Sequence, residues 1–262
     1  MFLADQGCNI IESAQFGDRD SGWFMMRVLF EQLDRPGERA VLAAAFSSVA
    51  ERFAMQWNLH DAEHRARVLI LVSKLDHCLN DLLYRYKVGA LKMDPVAIVS
   101  NHQDSYQLSA SHNIPFFYLP VTPETKPQQE AELAKIIKGE RAQLIVLARY
   151  MQILSEEMCR YLAGIAINIH HSFLPGFKGA SPYHQAHARG VKLIGATAHY
   201  VTPELDEGPI IEQEVARVDD KMGPEDLVAL GRDVECRALA RAVKHHLEHR
   251  VFLNGRRTVV FR

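Results

Sequence analysis

Of the chain's 262 residues, 48% are hydrophobic and 24% charged, enough apolar material to bury a full core in one large domain or two small ones. The formal net charge is -2 and the 30 basic residues are scattered, which argues against nucleic acid or a membrane surface as partner and favours a small molecule. Cys8, Cys78, Cys159 and Cys236 form no C-x-x-C pair, no apolar run approaches the roughly 18 to 20 residues that span a bilayer, and no signal-peptide pattern opens the chain, so reduced thiols in the cytoplasm are expected rather than a disulfide framework, a structural zinc site or a membrane anchor.

Residues 1–65 read as a small α+β domain. A short stub leads to strand-like runs at 10–16 and 23–30, a helix over about 39–53 and a strand at 55–59, and the charged stretch 60–67 reads as a linker. From 66 to 262 the texture changes. Continuous apolar runs at 68–72, 96–99, 116–121, 144–148 and 165–169 predict strands buried on both faces. Helical segments at 76–86, 127–138 and 156–162 alternate with them, the last behind Ser155 as N-cap with Glu156 and Glu157 in its first turn. A short helix over 183–189 follows, carrying His184 and His187. Strands at 193–201 and 210–218 come next, then a long helix opened by Pro224 with Leu227, Leu230, Val234 and Ala238 on one face. The run Lys244 to Arg250 is expected to be its solvated end. Asn254-Gly255 between two apolar runs predicts a closing hairpin. Alternating β and α units imply an α/β fold with a doubly wound, mostly parallel sheet over 66–262.

Chemistry concentrates in two stretches. Asn168-Ile169-His170-His171-Ser172 leaves an apolar strand and enters the Pro/Gly-rich segment Leu174-Pro175-Gly176-Phe177-Lys178-Gly179. That places Asn168 and His170 at the carboxyl end of a strand, where open α/β sheets bind ligands, and alternation points both the same way. Downstream, His199 stands seven residues before Asp206, and Gly208-Pro209 enforce a reversal between two strands. Such a loop, held by rigid strands, is a common place for a reactive carboxylate. Each residue also has a plainer reading: Asn168 and His170 could only bond loops, Asp206 could make an Asx turn, and His171 points to the other strand face. His170, His171, His184, His187 and Asp206 could also be read as a hydrolytic zinc site, but His184 and His187 lack a partner spacing that justifies it.

Taken together, Asn168-x-His170, the downstream Leu-Pro-x-x-Lys-Gly, and His199 ahead of Asp206 resemble the 10-formyltetrahydrofolate formyltransferase superfamily over about 66–262. The resemblance implies that Asn168, His170 and Asp206 act on a formyl carbonyl and that His199 and Lys178 support them. It further implies that Arg149, Met151, Gln152, Ile153 and Leu154 lie in a pterin-binding loop, with Thr202, Glu204 and Leu205 in the opposite wall. The folate is then a substrate, and no cofactor or metal is expected.

The first βα turn, Val72-Ser73-Lys74-Leu75-Asp76, has no glycine and carries an acidic residue where a phosphorylated acceptor would sit. The run from Ser73 to Leu83 is similar to the deformylase branch, which implies hydrolysis of 10-formyltetrahydrofolate to tetrahydrofolate and formate. Transfer to an amine such as glycinamide ribonucleotide and a noncatalytic folate-binding role are the alternatives. Residues 7–13 resemble the middle of an ACT domain whose first strand is absent, with Asp34-Arg35-Pro36-Gly37 mimicking its turn motif in a different place. A truncated module of that kind leaves backbone to be covered, so a homo-oligomer is expected.

Overall fold

The computed structural model describes residues 2–33, 39–174 and 182–262. The turn mimic at 34–37 and Lys178 lie outside these ranges. The chain opens with α1 (Phe2–Asp5), β1 (Cys8–Gly17), β2 (Phe24–Gln32) and α2 (Arg39–Arg52), β1 and β2 pairing antiparallel in a sheet of their own. Their turn is closed by Asp18, which accepts from the Ser21 hydroxyl at 2.7 Å, and by Gly22 at φ 72°. The strand expected at 55–59 does not form. Its aromatic residue is used otherwise, Trp57 packing edge-on against Phe46 of α2 with ring centroids 4.9 Å apart, and β propensity without a ladder partner makes no strand.

From β3 (Ala66–Val72) the expected alternation holds: α3 (His77–Lys87), β4 (Met93–Ser100), α4 (Tyr106–Ser111), β5 (Phe116–Tyr118), α5 (Lys126–Gly139), β6 (Leu144–Leu147), α6 (Glu156–Tyr161) and β7 (Ala166–His170). After α7 (Pro182–Ala188) come β8 (Leu193–Tyr200), β9 (Ile210–Arg217), α8 (Pro224–Leu247) and the hairpin β10 (Val251–Asn254) and β11 (Arg257–Val260). The main sheet has the order β5-β4-β3-β6-β7-β8-β9, parallel from β5 to β7 and antiparallel from β7 to β9. Helix α4, one and a half turns long, is too short to show a period in sequence. Strand β5 stops ahead of Pro120, which cannot donate to a ladder.

Alternation along β3 divides the core between two faces. Val68, Ile70 and Val72 pack with Cys78, Leu79 and Leu82 of α3 and Val234, Ala238 and Leu239 of α8. Leu69 and Leu71 pack on the other side with Leu133 and Ile137 of α5, Met158 of α6 and Leu162 just beyond it. Ser155 caps α6 as expected, accepting from the Met158 N–H at 3.1 Å.

The chain leaves β3 for β4 and β5, then returns to β6 on the other side of β3. Connections at the carboxyl ends of β3 and β6 therefore diverge and open a crevice. Ser73 pins its two lips together: its N–H donates to the Arg149 carbonyl at 3.2 Å, and its hydroxyl accepts from the Met151 N–H at 2.9 Å while donating to Asn101 at 2.7 Å.

The end of α8 is not the solvated terminus that its charges suggested. His246 is partly buried against the Tyr200 hydroxyl at 2.8 Å. Arg250 grips Glu12 of β1 at 2.9 Å, Arg27 of β2 donates to the Glu248 carbonyl at 3.2 Å, and Asn254 donates to Asp18 at 2.7 Å. These residues carry the charge needed to fasten the β1–β2 ribbon to the larger unit.

Candidate active site

Ile167 and Ile169 of β7 enter the core on the α3 and α8 side, so Asn168 and His170 turn to the opposite face. Across the antiparallel ladder they stand beside His199 and Thr197 of β8. The chain leaving β7 is held by Thr197, whose hydroxyl donates to the Ser172 carbonyl and accepts from the Leu174 N–H, both at 3.0 Å. Gln213 of β9 braces the same point, donating to the Leu174 carbonyl at 3.1 Å.

Asp206 arrives from the β8–β9 connection, and its backbone lies in the left-handed region at φ 57°. Asp tolerates that conformation better than most residues. Two positions on, a Cβ at Gly208 would stand 1.7 Å from the Tyr200 carbonyl oxygen, so only glycine lets the loop fold back on β8. The loop delivers the carboxylate to two imidazoles: Oδ2 is 3.2 Å from His170 Nδ1, and Oδ1 is 3.8 Å from His199 Nε2.

Hydrogen-bond chemistry then sets the proton positions. His199 Nδ1 lies 2.9 Å from the Tyr200 carbonyl oxygen, which can only accept, so this nitrogen carries a proton. In the neutral ring Nε2 is an acceptor, and the Asn168 amide nitrogen is placed at 3.3 Å to donate to it. His170 Nδ1 likewise donates to Asp206. That leaves His170 Nε2, buried and without a hydrogen-bond partner among the described residues. A buried imidazole nitrogen in that condition costs stability unless a ligand or water completes it. Burial by itself would raise the Asp206 carboxyl, but the hydrogen bond from His170 and the two facing imidazoles outweigh it and hold the group well below the usual carboxylate range. His171, on the other face, is pushed down to about 4, first by burial and then by Arg149 and His170, which keeps it neutral near pH 7.

The segment from Arg149 to Leu154 divides its side chains between two directions. Met151 and Ile153 are exposed, as is Leu205 in the loop that carries Asp206, so the site has apolar surface open to a flat ring. Gln152 is half-buried, Glu204 is exposed, and Thr202 donates to the Glu204 carbonyl at 3.0 Å. Leu154 and Tyr150 are buried in one cluster with Val201, which joins the two walls at their base. Arg149 goes the other way. From a backbone at φ 64° its side chain turns inward, Nε lying 3.4 Å from Oε2 of the fully buried Glu235 on α8. Glu235 also accepts from Tyr183 at 2.7 Å and pairs with His77 Nε2 at 2.8 Å. Those partners hold its carboxyl below its ordinary range although burial opposes this.

The structure thus gathers Asn168, His170, His199 and Asp206 and sets Met151, Ile153 and Leu205 as exposed apolar surface, while Arg149 belongs to a separate buried network. Sequence reasoning missed Ser73, Thr197, Gln213 and Glu235. A signal existed for two of them: Thr197 shares a strand face with His199, and Glu235 is an acid inside the otherwise apolar stripe of Leu227, Gly231, Val234 and Ala238.

The Formyl transferase family model matches residues 66–243. Formyltetrahydrofolate deformylase of Corynebacterium sp. (strain P-1) is 51% identical over 261 residues, 100% of this chain and 91% of that protein. The crystal structure of formyltetrahydrofolate deformylase from Burkholderia mallei is 58% identical, with a TM-score of 0.95 over 100% of this chain and 92% of that one. Glycinamide ribonucleotide transformylase 1 from Symbiobacterium toebii is more distant, at 28% identity and a TM-score of 0.71, covering 79% of this chain and 99% of that one.

Proposed function

Because the chain belongs to the formyltetrahydrofolate deformylase family, we propose that it hydrolyses 10-formyltetrahydrofolate to tetrahydrofolate and formate, with Asn168, His170 and Asp206 acting on the formyl group. The observation that carries the assignment of roles is the buried, unpartnered Nε2 of His170 behind an Nδ1 tied to Asp206.

Water attacks the formyl carbon and gives its proton to His170 Nε2. The carbonyl electron pair moves to oxygen, where an Asn168 N–H donates to the developing charge; one N–H of that amide serves His199 and the other remains for the substrate. Donors of this kind contribute about 3 to 4 kcal/mol in well-studied enzymes. The ionised Asp206 stabilises the imidazolium formed in this step. As the carbonyl re-forms, the C–N10 bond breaks and His170 returns its proton to N10, releasing tetrahydrofolate and formic acid, which ionises. Met151, Ile153 and Leu205 supply the apolar surface for the pterin.

The deciding experiment is turnover of purified, chelator-treated protein with 10-formyltetrahydrofolate, with and without glycinamide ribonucleotide. Formate release that needs no acceptor supports the hydrolase. Turnover only with the amine would make the chain a transferase, and folate binding without turnover would leave it a binding protein.

The same reading assigns the enzyme to one-carbon metabolism in the cytoplasm, acting on the formyl-folate pool from which purine biosynthesis draws. Among the described residues no helix is long and apolar enough to cross a membrane. The β1–β2 ribbon, as a truncated ACT-like module, would pair with a second copy. In its support, register and alternation put Ile10, Phe24 and Met26 on one face, and all three are about half exposed.

A further inference from the structure

We propose that His77, Cys78 and Cys236 form a binding site for a thiophilic cation of the zinc(II) class, set where the start of α3 meets α8. One ring nitrogen of His77 and the two Sγ atoms lie within 4.8 Å of one another. A single ion with bonds of about 2.0 Å to nitrogen and 2.3 Å to sulfur reaches all three. The cluster joins residues 158 positions apart in sequence, and α3 packs directly on α8.

The surroundings have the chemistry of a ligand shell. Cys78 is fully buried, whereas Cys236 and His77 are only partly so, which leaves a way in. The Cys236 thiol donates to the His77 carbonyl at 3.4 Å, so its sulfur is already turned towards the histidine. Glu235 holds His77 Nε2 at 2.8 Å, leaving Nδ1 as the nitrogen free to ligate. A carboxylate on the outer nitrogen of a histidine is the arrangement that fixes ring orientation and raises ligand basicity at metal sites. Two thiolates neutralise a divalent cation, so its burial leaves no net charge uncompensated. Each thiol that ligates releases one proton as the ion binds.

The site shares no residue with the hydrolytic groups; one link towards them runs from Glu235 through Tyr183 to His171, whose ring centroid is 6.5 Å from that of Tyr183 and 5.1 Å from that of His170. Occupation ties the first βα turn to α8 and stabilises the fold by mass action. It is not required for hydrolysis.

The test is anaerobic titration of the purified, reduced full chain with cobalt(II), followed by displacement with zinc(II). The expected result is a thiolate-to-cobalt charge-transfer band that saturates at one ion per chain, release of two protons, and a rise in thermal midpoint with zinc(II). Cys236→Ala should remove the band and the rise. Because Cys78→Ala could disturb the core, Cys236→Ala at a partly exposed position is the decisive variant, and Cys159→Ala in the other core cluster should leave both signals intact. Absence of the band in the wild type, or a band that survives Cys236→Ala, overturns the proposal.

Discussion

His170 gives one ring nitrogen to the Asp206 carboxylate at 3.2 Å and keeps the other buried and unpartnered. The carboxylate is thereby the partner that fixes the tautomer of the imidazole, and the free nitrogen is where reacting groups can exchange a proton. Asp206→Asn tests this without disturbing the loop, because Asn accepts the left-handed backbone at least as well as Asp. The expected outcome is a fall in kcat/KM of about a thousandfold or more at pH 7, with a thermal midpoint close to that of the wild type. Steady-state formate release checks it. Retention of more than about a tenth of the activity would remove Asp206 from the mechanism.

The Asp206 loop depends on Gly208. An added methyl would collide with the Tyr200 carbonyl that fixes the proton on His199 Nδ1, and would sit 3.1 Å from that nitrogen. Relief requires the loop to lift from β8, carrying Asp206 away from both histidines. Gly208→Ala is expected to cost about 1 to 3 kcal/mol of stability and at least about a hundredfold in activity. Urea denaturation and initial rates measure both. Wild-type rates in a folded Gly208→Ala protein would show that the close approach is not needed for the geometry.

Several of these relationships were legible in sequence and others could not be. The continuous apolar run before Asn168 identified β7, and period-two alternation then put Asn168 and His170 on one face, as found. The Gly-Pro pair after Asp206 marked a turn. The direction of Arg149 was hidden, because a left-handed backbone at one residue reverses where its side chain goes. The meeting of His77 and Cys78 with Glu235 and Cys236 was hidden for a different reason: it is created by packing α3 on α8, and no local spacing encodes it. The strand expected at 55–59 failed on the same ground, since strands need a partner and local propensity does not supply one.

Buried histidines make the fold sensitive to acid. His246 sits against the Tyr200 hydroxyl at 2.8 Å, and burial pushes its pKa down to about 4. In the unfolded chain the reference value is about 6.5. Between those limits the unfolded state binds the proton and the folded state does not, so stability is fully present above about pH 6.5 and is lost as pH falls towards 4. Each such group contributes a slope of at most about 1.4 kcal/mol per pH unit, and His171, also pushed down to about 4, acts in the same direction. In His246→Gln the slope of unfolding free energy against pH, measured by urea denaturation between about pH 6 and 5, should be smaller by up to one proton. An unchanged slope would mean that His246 binds its proton in the folded protein as readily as in the unfolded one.

The exposed face of the β1–β2 ribbon leads to the last prediction. Phe24 and Met26 lie two residues apart on β2, and Ile10 stands across from Phe30 on the same side, so the apolar side chains form a continuous strip rather than scattered contacts. Fastening of the ribbon to α8 and the hairpin uses Glu12, Asp18 and Arg27, which leaves this strip uncommitted. If a second copy covers it, a charge placed at its centre must be desolvated on association and will oppose it. Met26→Glu should convert an oligomer to a monomer by light scattering at micromolar concentration, with the thermal midpoint falling as the partner's contribution is lost. Because none of the strip residues belongs to the site built around Asp206, turnover per chain should change by less than about threefold. A monomeric wild type, or a Met26→Glu protein of unchanged mass, would assign the strip to something other than self-association.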